Sequence, residues 1–146
     1  MVHDLYQEII LDHSKRPRNC HAMADATGQA AGYNPLCGDN LKLYIKLEGN
    51  IVKDASFVGS GCAISTASAS LMTETLKGKS REEALQLLEK FHELLTTDTA
   101  VTQELGKLVV FCGVRNYPAR VKCATLAWHT LKTALTENAA EPVSTE

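Results

Sequence analysis

Cysteine is the residue type in this chain with the widest capacity for chemistry. No two cysteines form a Cys-x-x-Cys pair; the five are Cys20, Cys37, Cys62, Cys112 and Cys123. The odd number and the wide spacing argue against a disulfide framework, and the missing pair argues against a thioredoxin-like redox site and a zinc ribbon. The remaining interpretations are small buried hydrophobes, metal ligands and reactive thiolates.

Three of the cysteines lie where a thiolate is favoured. Cys37 is in a turn before a predicted strand, Cys62 follows a Gly-Ser-Gly segment at the start of a predicted helix, and Cys123 begins the last predicted helix after a basic segment. The positive end of a helix dipole and a neighbouring cation both stabilise a thiolate. The thiolate is the form that binds metals and attacks sulfur, so these three cysteines are the candidate site residues.

A carboxylate stands close to the first of these cysteines. Asp39 is two residues after Cys37, and Gly38 between them allows both side chains to converge. Three thiolates and one carboxylate form a tetrahedral ligand set for Zn²⁺, and sulfur-rich sets also suit iron–sulfur clusters. Because a carboxylate is a harder ligand than a thiolate, we expect such a zinc site to open more easily than a four-cysteine site. The spacing is not specific, so a structural metal site and a reactive-thiol enzyme both remain open.

The other candidate groups have simpler interpretations. Nothing near Cys20 marks it as functional, and Cys112 shares the core face of a predicted helix with Leu105, Leu108 and Val109. The five histidines are scattered, and we interpret each as a surface or capping residue. An ordinary cysteine nucleophile therefore lacks an identifiable histidine base in the motifs.

Length and composition describe the domain that must hold these residues in place. The chain has 146 residues, enough for one domain, which we place at residues 1–137. An apolar fraction of 45% and a charged fraction of 22% exclude a disordered chain. The net charge of 15 − 17 = −2 leaves no broad basic surface for nucleic acid or an anionic membrane. With no membrane-length apolar run and no secretory signal pattern in the first residues, we expect a cytoplasmic protein.

Hydrophobic periodicity predicts the elements that position the site. Residues 41–48 alternate as a half-buried strand, Gly49-Asn50 forms a hairpin turn, and residues 51–58 return as the partner strand, with a short edge strand near 24–31. The predicted helices are 3–13, a small-residue helix from Cys62 to its C-cap Gly78, one after the capping box Ser80–Glu83, about 99–112 and about 123–137. The fold class is α+β: a small antiparallel β-sheet of about three strands with helices packed on one face, and a disordered tail at 138–146.

Three separated motifs resemble the U-type iron–sulfur cluster assembly proteins, the family with an IscU/NifU N-terminal-like fold. They are NPLCGD at 34–39, GSGCAIS at 59–65 and RVKCATLAW at 120–128, and the resemblance covers about residues 3–137. Within the family the chain resembles the SufU branch. Lys122 stands where IscU-type scaffolds place a histidine, the stretch 117–121 lacks their Leu-Pro-Pro-Val-Lys chaperone motif, and 96–114 resembles the SufU insertion.

The resemblance implies a zinc-dependent sulfur acceptor, a sulfurtransferase that serves iron–sulfur cluster assembly. It implies that zinc is bound by Cys37, Asp39, Cys62 and Cys123, and that Cys37 is the catalytic residue that accepts sulfur from the persulfide of a PLP-dependent cysteine desulfurase of the SufS type. Downstream cluster-assembly proteins would then take the sulfur. The basic residues Lys15, Arg16 and Arg18 become a candidate surface for the desulfurase.

Two alternatives of different class accompany this interpretation. A scaffold would assemble a [2Fe–2S] cluster, or hold iron, on Cys37, Cys62 and Cys123, and would be a binding protein and not an enzyme. A purely structural zinc domain would hold the same ligands in a closed, inert site. The sequence alone therefore leaves open whether the chain is an enzyme.

Overall fold

The computed structural model describes residues 2–35, 38–96, 105–136 and 143–144 of the chain. Cys37 and Leu36 lie outside the described residues. The elements in chain order are α1 (Val2–Lys15), β1 (Gly28–Asn34), β2 (Asp39–Glu48), β3 (Ile51–Ser60), α2 (Ala63–Leu76), α3 (Arg81–Thr96), a 3₁₀ helix (Gly106–Asn116), α4 (Pro118–Thr136) and β4 (Val143–Ser144). None of the helices in the described part of the chain is long and apolar enough to cross a membrane.

The strands β1, β2 and β3 form the antiparallel sheet that the alternating pattern predicts, in the order β3-β2-β1. Gly49 takes a φ of 63° in the predicted hairpin turn between β2 and β3. At the other end of the sheet Asn34 pairs with Asp39 and Asn40 pairs with Ser60. The β1–β2 turn and the chain that leaves β3 toward α2 are therefore neighbours.

Helices α2 and α4 pack on one face of the sheet, as predicted, α4 against β1 and β2 and α2 against β3. Helix α1 packs on α2, and α3 and the 3₁₀ helix pack on α4. Trp128 of α4 is fully buried, stacks on Phe91 of α3 with 4.7 Å between ring centroids, and donates to Ser68 Oγ of α2 at 3.2 Å. Trp128 is thus a core residue that joins three helices.

Strand β1 spans Gly28–Asn34, whereas the sequence predicted an edge strand near 24–31, and β4 pairs with its other side. Four residues of β1 face the helices and are buried: Gly28, Ala30, Gly32 and Asn34. None of them is a large hydrophobic residue. A hydrophobic period therefore could not locate it. The small residues let α4 lie very close: a Cβ on Gly32 would be 2.2 Å from Thr130 Oγ1 and 3.0 Å from a methyl group of Leu126.

We expect Gly32→Ala to lower the free energy of unfolding by about 1–3 kcal/mol, the usual penalty of overpacking. The clash cannot be relieved easily, because the Thr130 hydroxyl is buried and donates to the Leu126 carbonyl at 2.8 Å. Urea unfolding followed by the fluorescence of Trp128, the only tryptophan, measures it. Gly113→Ala is the control without destabilisation, since its Cβ would meet nothing within 4 Å. Equal midpoints for Gly32→Ala and the wild type would contradict the close approach.

The predicted capping signals are confirmed at α2 and α3. Gly78 follows α2 with a φ of 87°. In the capping box the Ser80 N–H donates to Glu83 Oε1 at 3.0 Å and the Glu83 N–H donates to Ser80 Oγ at 3.1 Å. These bonds hold the pKa of the Glu83 carboxyl below its ordinary value. The start of α3 is therefore determined locally, whereas after α2 the Gly78 N–H donates to the Val52 carbonyl of β3 at 2.8 Å.

The segment predicted as an α-helix over 99–112 is different in the structure. Residues 97–104 lie outside the described part, and Gly106–Asn116 is a 3₁₀ helix. Four of the buried side chains recur every three residues, at Leu105, Leu108, Phe111 and Val114, and Val110 is buried as well. Val109 and Cys112, which an α-helical period would bury, are only partly buried. The prediction failed because the 3₁₀ repeat is three residues and not 3.6.

The tail at 138–146 was expected to be disordered. Val143 and Ser144 form β4 and pair in parallel with Gly32 and Tyr33 of β1. The other residues of 137–146 lie outside the described part of the chain.

His13 is buried, although we interpreted each histidine as a surface or capping residue. Its Nδ1 lies 2.7 Å from Ser70 Oγ of α2, which also accepts the Arg18 N–H at 2.8 Å. Burial holds the pKa of His13 below its ordinary value, and the Arg18 guanidinium acts in the same direction. The Ser70 hydroxyl therefore joins α1 and the basic loop to α2.

Candidate functional site

Residues of three elements meet at the end of the sheet that carries the β1–β2 turn. Asp39 is the first residue of β2, Cys62 is the N-cap of α2, and Cys123 lies in α4, which packs across β1 and β2. Cys62 has the extended backbone of an N-cap (φ −74°, ψ 170°), and its Sγ accepts the Ser65 N–H at 3.4 Å. A cysteine at this position lies at the positive end of the α2 dipole, as the sequence predicted.

Asp39 is fully buried, and both of its oxygens accept hydrogen bonds. Oδ1 accepts the backbone N–H of Cys62 at 2.8 Å, and Oδ2 accepts from Asn34 Nδ2 at 3.2 Å. Gly61 is required for the first bond, because a Cβ there would lie 2.6 Å from Oδ1. The Gly-Ser-Gly segment before Cys62 thus makes room for the carboxylate of another strand.

The sequence predicted Cys123 at the start of its helix, and this prediction is wrong. Helix α4 begins at Pro118, so Cys123 lies in the second turn and is completely buried. The proline was the available signal, because proline is favoured at the first helical position. The helix-dipole argument therefore holds for Cys62 and not for Cys123. The Cys123 Sγ contacts the Ala119 carbonyl at 3.6 Å and accepts from Asn34 Nδ2 at 3.4 Å.

Asp39, Cys62 and Cys123 converge, with one possible ligand atom from each lying within 4.8 Å of the other two. In a tetrahedral zinc site with bonds of about 2.3 Å to sulfur, two sulfurs are about 3.8 Å apart. Small side-chain movements would therefore bring the three atoms around one ion, and two thiols with a carboxylate match the donor preference of zinc. Within the described residues this is the only group of three or more potential ligands, and it contains no histidine.

The fourth predicted ligand, Cys37, lies outside the described residues. Its neighbours on both sides are described: Asn34 ends β1, Asp39 begins β2, and Gly38 has a φ of 70°.

The other residues singled out from the sequence lie elsewhere. Cys20 is an exposed thiol beside β3, and Cys112 is a partly buried thiol of the 3₁₀ helix. The basic loop contacts Ser70 and Thr73, about 12 Å or more along α2 from Cys62 at a rise of about 1.5 Å per residue. Lys15 and Arg16 are exposed, whereas Arg18 is held by Asp12 at 2.6 Å.

Asn34 is the site residue that sequence reasoning missed. In the sequence it was noted only as the first residue of the NPLCGD motif, yet its buried side chain contacts two of the three converging residues. The available signal was a polar residue continuing the two-residue period of Gly28, Ala30 and Gly32.

Comparison with known proteins gives the context of this geometry. The sequence model of the NifU-like N-terminal domain matches residues 5–137. The iron–sulfur cluster assembly scaffold protein IscU of Streptococcus pyogenes serotype M1 is 41% identical over 139 residues, which are 94% of this chain and 87% of that protein. The zinc-dependent sulfurtransferase SufU of Bacillus subtilis (strain 168) is 44% identical over 131 residues, 88% of this chain and 87% of that protein.

A solved structure agrees with these matches. The iron–sulfur cluster assembly scaffold protein for the SUF system from Fervidobacterium islandicum AW-1 superimposes with a TM-score of 0.86 at 37% identity, covering 92% of this chain and 98% of that one. The predicted α+β fold and the family resemblance are both confirmed by these comparisons. The chain belongs to the NifU-like N-terminal domain family, the U-type iron–sulfur cluster assembly proteins, as a SufU-type member.

Proposed function

We propose that the chain is a zinc-dependent sulfurtransferase of iron–sulfur cluster assembly, which accepts sulfur from the persulfide of a PLP-dependent cysteine desulfurase of the SufS type. The observation that carries this proposal is the convergence of Asp39, Cys62 and Cys123 at one end of the sheet. The similarity to a protein named zinc-dependent sulfurtransferase supports the same conclusion. We place the function in the cytoplasm, where the free thiols of Cys20, Cys62, Cys112 and Cys123 stay reduced.

In this proposal Cys37, Asp39, Cys62 and Cys123 hold the zinc ion. Bound zinc would keep the coordinating thiols deprotonated near neutral pH. Asp39, Cys62 and Cys123 come from a strand, a helix N-cap and a buried helical turn. Asp39 and Cys123 are buried and Cys62 is partly buried, so packed elements of the fold hold these three ligands as a platform.

The transfer step is a thiol–disulfide-type exchange. The Cys37 thiolate attacks the outer sulfur of the desulfurase persulfide, and a new sulfur–sulfur bond forms on Cys37. The sulfur–sulfur bond of the desulfurase breaks, and the desulfurase cysteine leaves as a thiolate. One bond forms and one breaks without net oxidation, so no additional oxidant or reductant is needed.

The desulfurase would approach the end of the sheet that presents the β1–β2 turn. We propose that Lys15, Arg16 and Arg18 contribute to its surface, which then extends about 12 Å along α2 from Cys62. The exposed Lys15 and Arg16 are available for this contact, and Arg18 is partly committed to Asp12. Downstream cluster-assembly proteins would remove the sulfur from Cys37.

A scaffold that holds a [2Fe–2S] cluster on the same cysteines is the second candidate. The relatives from Streptococcus pyogenes and Thermotoga maritima are both named iron–sulfur cluster assembly scaffold proteins. The neighbouring Lys122, a cation at neutral pH, is a poor replacement for an imidazole ligand. That difference favours zinc with four ligands over a cluster.

Metal and sulfide analysis separates the two candidates. We expect about one zinc and no acid-labile sulfide per chain in protein purified anaerobically without chelator or metal-binding tag. Cys62→Ser should lose most of the zinc, because it removes a ligand, and Cys112→Ser should retain it as the matched control. Iron with an equal amount of sulfide would instead establish the scaffold. Zinc that remains bound while no sulfur is accepted from the desulfurase would establish an inert structural site.

A further inference from the structure

Asn34 connects residues of the candidate site through the hydrogen bonds of its side chain. It is the last residue of β1 and is completely buried. Its Nδ2 lies 3.2 Å from Asp39 Oδ2 and 3.4 Å from Cys123 Sγ. A side-chain amide nitrogen has two N–H groups, and here there is one acceptor for each. Both donors are therefore directed at residues that we propose as zinc ligands.

These bonds connect parts of the chain that are distant in sequence. Asn34 is 5 residues from Asp39 and 89 residues from Cys123. The other oxygen of Asp39 accepts the Cys62 N–H, so the network reaches all three converging residues. A single amide thus links the start of β2, the N-cap of α2 and the second turn of α4.

The contact of Cys123 with Asn34 suits a metal-bound sulfur, whereas its contact with Ala119 does not. The Ala119 carbonyl, 3.6 Å from Sγ, can only accept, so that contact requires an S–H proton. A metal-bound thiolate has no such proton and can only accept. The N–H of Asn34 remains a suitable partner in both states, as it also does for the carboxylate of Asp39.

We propose that Asn34 is a positioning residue of the zinc site, which orients Asp39 and Cys123 before the metal arrives and while Cys37 takes part in transfer. This inference rests on the proposed function. Partners of metal ligands typically raise metal affinity by about 10–100-fold, because they fix the ligand orientation. Asn34 fixes the orientation of two proposed ligands, Asp39 and Cys123.

The test compares zinc affinity in Asn34→Ala and Asn34→Val with the wild type. Alanine removes both donors, and valine removes them while keeping bulk and strand preference, so that the fold is retained. We expect both variants to bind zinc about 10–100-fold more weakly. The ligand-field bands of the Co²⁺-substituted protein, which report the geometry around the ion, should also change. Asn40→Ala is the matched control, since Asn40 is exposed at the same end of the sheet and its Nδ2 donates to Ser60 Oγ at 3.0 Å.

A merely structural asparagine would give a different result. Its variants would lower the unfolding free energy of the metal-free protein, yet the folded protein would bind zinc with wild-type affinity and show the wild-type Co²⁺ spectrum. That result would overturn this inference alone and leave the proposed function intact. A wild-type chain that binds no zinc would overturn both. Weaker zinc binding and an altered spectrum in both variants, with Asn40→Ala unchanged, would support it.

Discussion

Asp39→Ala is expected to bind zinc roughly a hundredfold more weakly than the wild type. Structural zinc sites contribute about 10–16 kcal/mol of binding free energy, so an equal share for one of four ligands is about 3 kcal/mol. That free energy corresponds to about two orders of magnitude in affinity. The carboxylate is fully buried beside Cys62 and Cys123, so water cannot readily replace it with the same geometry.

The same substitution should also weaken the metal-free protein. Asp39 accepts the backbone N–H of Cys62 and an N–H of Asn34, and alanine leaves both donors without this acceptor. A buried donor that loses its partner costs about 1–3 kcal/mol. The two effects are separable, because competition with a chromophoric chelator measures zinc affinity and urea unfolding in excess chelator measures the metal-free protein.

Asp25→Ala is the matched control for Asp39. Its carboxylate is exposed and pairs with Lys46, which lies seven residues along β2 from Asp39. We expect its zinc affinity to equal that of the wild type. If Asp39→Ala also bound zinc with wild-type affinity, Asp39 would be removed from the ligand set, and its buried bonds would be explained as purely structural.

The parts of the fold that local signals determine were predicted well. The capping box at Ser80–Glu83, the turn at Gly49 and the alternation of β2 each involve residues within a few positions of one another. The core face of α3, which follows an α-helical period, is also buried as expected. Such features need no knowledge of the rest of the chain.

The errors arose where tertiary contacts decide the outcome. The position of β1 depends on the close packing of α4 against Gly32. The hydrophobic pattern of the sequence does not predict that packing. The 3₁₀ segment has enough apolar residues to satisfy two different periods, so its pattern was assigned to the commoner α-helix. For Cys123 a local signal existed, since Pro118 marks the helix start, and it was overlooked.

The candidate site also has residues that the sequence could identify and one residue whose role depends on tertiary contacts. Asp39 and Cys62 were selected by their residue types and their places beside a turn and a helix end. Cys123 was also selected, although its predicted place at a helix start was wrong, and the structure brings one possible ligand atom from each of the three within 4.8 Å of the others. The role of Asn34 could not be found in that manner, because its contact with Cys123 spans 89 residues. An asparagine before a proline is usual in a turn, and only its burial distinguishes this one.

Cys37→Ser is expected to reduce sulfur acceptance to the background level. A serine hydroxyl is protonated at neutral pH and a much weaker nucleophile toward sulfur than a thiolate, and it cannot form a persulfide. Because serine is nearly isosteric with cysteine, the turn between β1 and β2 should keep its course. Asp39, Cys62 and Cys123 remain, so zinc should be retained with reduced affinity.

The measurement is the transfer of label from radiolabelled L-cysteine through the desulfurase to this chain. Cys20→Ser and Cys112→Ser are matched controls, because Cys20 is exposed, Cys112 is partly exposed and neither joins the converging group. Both should accept sulfur as the wild type does. Full transfer to Cys37→Ser would refute the assignment of Cys37, and a loss confined to Cys20→Ser would move the acceptor to that exposed thiol. Loss in Cys37→Ser alone, with zinc still bound, would separate the sulfur acceptor from the three residues that form the buried platform.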